Sequence, residues 1–111
     1  MPNRQPLEIC CNETGLVVST SRLRQPNVSL SWGEVDTVLA YKRDLCAVDL
    51  ICLAFGTSEG AIEVHEEVQG WSQLVEQLPS RLAGMPPLSD WWERVAKPPF
   101  ALSPTTLYKR G

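Results

Sequence analysis

The chain has 111 residues, 43% apolar and 21% charged, with ten basic residues against thirteen acidic ones. That length serves one hydrophobic core rather than two, so the expectation is a single domain over 1–111, with 1–6 as a disordered N-terminal arm. A net charge of −3 lacks the basic surplus that a phosphate-tracking groove needs, which excludes nucleic acid and disfavours anionic lipid as partners.

The first half reads as strands. Leu7–Cys11 and Leu16–Ser21 flank Asn12-Glu13-Thr14-Gly15, a hairpin signal in which Gly15 is free to take a positive φ. Arg22–Asn27 is a polar loop holding Pro26. Val28-Ser29-Leu30-Ser31-Trp32 alternates, so Val28, Leu30 and Trp32 share one face. Gly33-Glu34 interrupts as a helical turn or bulge, and Val35–Tyr41 resumes with Val35, Val38 and Ala40 inward. Arg43-Asp44-Leu45 reads as a turn.

Ala47–Phe55 is apolar on both faces, the mark of a central covered strand. Gly56-Thr57-Ser58-Glu59-Gly60 is a turn, and Ala61–His65 the next strand. From Gly70 the period changes. Trp71, Leu74, Val75, Leu78 and Leu82 form one helical stripe, which Pro79 is expected to kink or break. Gly84-Met85-Pro86-Pro87 ends that helix. Ser89 caps a second one over Asp90–Lys97, which Pro98-Pro99 stops. Thr106–Tyr108 is a short extended piece. Strands before helices predict an α+β fold: a bent antiparallel sheet of five to six strands packed by a C-terminal helix, plus a short second helix.

Chemistry-bearing residues are sparse. Cys10, Cys11, Cys46 and Cys52 lack the spacing of a zinc site, and no secretory signal or membrane-length apolar run appears. The expectation is therefore free thiols, a cytoplasmic location and no membrane partner. His65 is the one histidine. On a strand it shares a face with Glu63 and Glu67, which reads as a solvated face rather than a metal site. Ser58, His65 and Asp49 could be written as a triad, but no Gly-x-Ser-x-Gly elbow supports it. No phosphate-cradling loop occurs. Neither a metal nor another cofactor is expected, and the chain is expected not to be an enzyme.

Four tryptophans stand against two phenylalanines and two tyrosines. Trp32 and Trp71 fit the core. Trp91 and Trp92 are adjacent on a helix, about 100° apart, so one of them is a candidate for exposure. They are the candidate partner-binding residues, because exposed aromatics anchor interfaces.

Trp32-x-x-Val35-x-x-Val38, the apolar strand to Phe55, Ile62-x-Val64-x-Glu66, Gly70 and Leu74-Val75-x-x-Leu78 occur in that order. Pro86-Pro87-Leu88 and Leu107-Tyr108-Lys109-Arg110 follow. The pattern resembles a group of small, uncharacterised bacterial proteins of pleckstrin-homology-like or GRAM-like build. The resemblance runs over roughly residues 14–110. It departs in two ways, lacking the basic strand–loop pattern that holds phosphoinositides and reading as fewer strands than the full seven. It implies an interaction scaffold: a non-catalytic protein-binding, adaptor or immunity-type module, acting on a protein partner or as a homodimer. The alternative is a small ligand-binding domain or enzyme with a pocket near Asp49, Glu63 and His65.

Overall fold

A computed structural model describes residues 6–20, 28–44, 49–96 and 104–110. The strands are β1 (Pro6–Cys11), β2 (Gly15–Thr20), β3 (Val28–Ser31), β4 (Thr37–Asp44), β5 (Asp49–Thr57), β6 (Gly60–His65) and β7 (Thr105–Lys109). The helices are α1 (Trp71–Arg81) and α2 (Leu88–Ala96), both between β6 and β7. The α+β expectation holds, but the strands divide between two antiparallel sheets, β1-β2-β3 and β6-β5-β4-β7. Seven strands are described where five to six are expected, and the last of them, β7, falls on the extended piece expected at Thr106–Tyr108.

The division is made at Trp32. Residues Trp32–Glu34 form a single 3-10 turn between β3 and β4. Glu34 Oε1 accepts from the Ser31 backbone N–H (3.0 Å) and hydroxyl (3.2 Å), closing that turn from its N-terminal side. Trp32 Nε1 donates to the Asn12 carbonyl at 2.8 Å, so the indole ties this turn to the β1–β2 hairpin. The chain then enters the second sheet, with Val35, Val38 and Ala40 fully buried as their spacing requires.

The first hairpin forms where expected, though not for the expected reason. Asn12 Oδ1 accepts from the backbone of Thr14 (2.8 Å) and Gly15 (3.2 Å), a side-chain-built turn. Gly15 is not among the positive-φ glycines. It is needed for space, because a Cβ there would run into the carbonyl oxygen of Leu30 across the β2–β3 pair. Gly70 has both demands: its φ is 96°, and a Cβ would strike the Ile9 carbonyl. Beside it, Ile9 N–H donates to Gln69 O at 2.7 Å, joining β1 to the segment after β6.

β5 is internal in its sheet. Ile51, Leu53 and Phe55 face the main core, while Leu50 and Cys52, of opposite parity, are also buried. One apolar cluster joins Ile9, Leu16, Val18 and Leu30 of the first sheet to Val38, Leu53, Phe55 and Val64 of the second. It continues into Trp71, Leu74, Leu78 and Trp91 of the helices. Burial at these positions is the main stabilising term, at roughly 1.5–3 kcal/mol per large apolar side chain before chain entropy.

α1 buries Trp71, Leu74, Val75 and Leu78, four residues of the predicted stripe. It does not end at Pro79 but runs to Arg81. The proline lies in the last turns, where its nitrogen cannot donate to Val75 O and its ring crowds that carbonyl. α2 starts at Leu88, so Ser89 lies in its first turn rather than capping it. The expected loop over 22–27 and the Pro98-Pro99 stop lie outside the described residues. No helix among the described residues is long and apolar enough to cross a membrane.

Candidate functional site

The two helices leave a groove between them of about 740 Å³. Along α1 it is lined by Trp71, Ser72, Val75, Glu76 and Pro79, and along α2 by Leu88, Ser89 and Trp92, with Pro87 at the bend. Both sets follow helical geometry. Residues 71, 75 and 79 recur every four positions and share one flank of α1, as do 88 and 92 on α2. Trp71 and Val75 are buried at the base, while Pro79, Leu88 and Trp92 are half-buried.

The structure separates the adjacent tryptophans. Trp91 is 1% exposed and belongs to the core. Trp92 packs against that core yet lines the groove. Their ring centroids are 6.3 Å apart with planes at 51°, a tilted aromatic contact that fixes the Trp92 ring at the groove wall. The α1 wall was not singled out from sequence. Val75 and Pro79 carry an ordinary core-and-breaker pattern, and only the placement of α2 makes them a surface.

The residues near His65 are arranged differently. His65 and Glu63 pair with Cys52 and Ala54 of β5 and share a face of β6. Asp49 pairs with Asp44, three positions along β5 from the last β6 partner. Ser58 sits in the β5–β6 turn, at the opposite end of β6 from His65. Glu63 Oε2 accepts from Arg43 Nη2 at 2.7 Å. Partial burial pushes its carboxyl up, an effect that His65 opposes; the adjacent guanidinium also favours the carboxylate. His65 Nδ1 accepts the Glu67 N–H at 3.3 Å, and Glu66 Oε2 accepts that of Ile51 at 2.7 Å. Glu63 and Glu66 are engaged across the sheet, and His65 with the turn that follows β6.

Among the described residues, no group of three His, Cys, Asp or Glu is placed to hold a metal ion. Cys10 is exposed, Cys11 half-buried and Cys52 buried, all as free thiols. Burial pushes the Cys11 thiol up, with Arg81 opposing, and it does the same at Cys52, where Arg43 opposes. Comparison with protein-family models, with curated proteins and with solved structures finds no match.

Proposed function

We propose that this chain is a non-catalytic protein-binding module of pleckstrin-like build, working in the cytoplasm, and that its docking surface is the groove between α1 and α2. The observation that carries this reading is the half-buried Trp92 on the wall of an apolar groove. Aromatic side chains held partly exposed in such a place supply much of the binding energy of protein interfaces. Two antiparallel sheets followed by helices support the pleckstrin-like reading, from which β7 departs by following the helices. Trp91 supports the surface indirectly, by holding Trp92 in place from the core side. The ligand-pocket alternative near Asp49, Glu63 and His65 finds less support, because Glu63 and His65 already have partners within the protein.

Site-specific photocrosslinking tests the reading. A benzophenone group at Ser89→Cys is expected to form an adduct with another protein in cells, whereas the same group at Ser58→Cys, in the β5–β6 turn, is not. The cysteine background would be replaced by alanine. An adduct of two copies of this chain would assign the groove to self-association. Equal labelling from both positions, or none from either, would remove the groove as the docking surface.

A further inference from the structure

We propose that the occupant of the α1–α2 groove is an amphipathic helix of a protein partner, apolar on the face it inserts and lysine- or arginine-bearing on its flanks. This rests on the docking reading above and adds the shape and charge of what docks.

Shape comes from the walls. From Trp71 to Pro79 the α1 wall rises eight residues, about 12 Å at helical rise, or just over two turns. That matches the span of apolar residues at i, i+4 and i+7 on a partner helix. An extended peptide is bound mainly through main-chain hydrogen bonds at a sheet edge. The walls here are helices whose backbone groups bond mostly within themselves, the donor that Pro79 withholds from Val75 O aside, so they offer chiefly side-chain packing.

Charge comes from the rims. Among the described residues lining the groove, Glu76 is the one that is charged, and none is a lysine or arginine. On α2 the exposed Glu93 stands one turn beyond Ser89, which lines the groove. The helices' arginines lie elsewhere. Arg81 bonds to Gln77 Oε1 at 3.4 and 3.2 Å, on the flank away from residues 72 and 76. Arg94 lies about 200° round α2 from Trp92. The groove is thus apolar at its base, with Glu76 on its α1 wall and Glu93 one turn beyond its α2 wall, in a chain of net charge −3. A cationic partner is drawn to it, whereas a second copy of this acidic chain would bring like charge to like charge.

The test uses three synthetic 14-residue amphipathic helices with the same leucine face and with lysine, glutamine or glutamate elsewhere. Binding is followed by the protein's tryptophan fluorescence. The lysine peptide is expected to bind tightest and the glutamate peptide weakest. Glu76→Lys/Glu93→Lys should weaken the lysine peptide by at least about fivefold, since each exposed pair contributes modestly. The control pair Glu13→Lys/Glu59→Lys, on exposed turns, should leave its affinity unchanged. Equal weakening by the control pair would overturn the proposal in favour of diffuse attraction. If all three peptides bind equally and Trp92→Ala abolishes binding, the docking groove stands and the cationic occupant falls. If no peptide binds in a Trp92-dependent way, both fall. Trp92-dependent binding of phosphatidylcholine vesicles in place of any peptide would also overturn the protein partner. Circular dichroism melts establish that each variant is folded.

Discussion

Gly15 shows how a residue can be identified for the wrong reason. In sequence it follows Asn-Glu-Thr and reads as a turn glycine valued for its φ, but the structure uses it for the approach of β3. The distinction is testable because the obstacle is backbone and cannot rotate away. Gly15→Ala is expected to cost about 1–3 kcal/mol in denaturant unfolding, by forcing β2 and β3 apart. A cost below about 0.5 kcal/mol would show that the pair adjusts freely. The thiols of half-buried Cys11 and buried Cys52 make a second prediction at this scale. Desolvation raises the Cys11 and Cys52 values above the ordinary thiol range. The folded chain therefore keeps these protons at pH values where the unfolded chain has released them. Stability is then lost as pH climbs from the unfolded thiol value through the folded one. Unfolding free energy should fall on the alkaline side, and Cys11→Ala/Cys52→Ala should flatten that slope. An unchanged slope would remove the thiols as its origin.

At the scale of elements, the helical stripe Trp71, Leu74, Val75, Leu78 was legible because a 3.6-residue period survives without knowledge of what it packs on. The helix ends were less so, since Pro79 and Ser89 are local signals that tertiary packing overrode. Pro79→Ala tests how far. It restores a donor for Val75 O, while relaxing the unfolded chain. The net expectation is a gain of about 1 kcal/mol, smaller than in a helix interior because the position is near the helix end. A thermal melt measures it, and a lowered midpoint would mean that the ring's packing outweighs the missing bond. The tryptophan pair gives a contrast within α2. Trp91→Ala empties a core site and should cost about 3–5 kcal/mol. Trp92→Ala, at the groove wall, should cost less than half of that. Equal losses would show Trp92 to be as much a core residue as its neighbour, leaving the groove without its anchor.

At the scale of the whole molecule, the partition into two sheets was not legible, and the reason is physical. The apolar alternation of Val28–Trp32 and Val35–Tyr41 is compatible with one interrupted strand. Only pairing partners far along the chain assign β3 to β2 and β4 to β5. The groove shares that origin, since its two walls meet through tertiary placement. β7 is the longest-range case. It pairs with β4 across everything from β5 to α2, with an irregularity between Val38 and Leu39. Besides that pairing, at least two attachments hold it. Leu107 is buried in the common core. Arg110 donates its backbone N–H to Asp36 O at 2.8 Å, reaches the Gly33 carbonyl with its guanidinium, and lies 3.6 Å from the Asp36 carboxylate. The second attachment is exposed and charged, so its side-chain part contributes little. Arg110→Ala should cost under about 1 kcal/mol. Leu107→Ala should cost about 2–4 kcal/mol. It should also do something that the arginine variant does not. Loosening β7 bares the β4 edge, whose free N–H and C=O groups recruit other chains. Concentration-dependent light scattering is therefore expected for Leu107→Ala and not for Arg110→Ala. If Arg110→Ala instead matches it in both stability loss and scattering, the terminal clasp rather than apolar burial keeps this sheet closed.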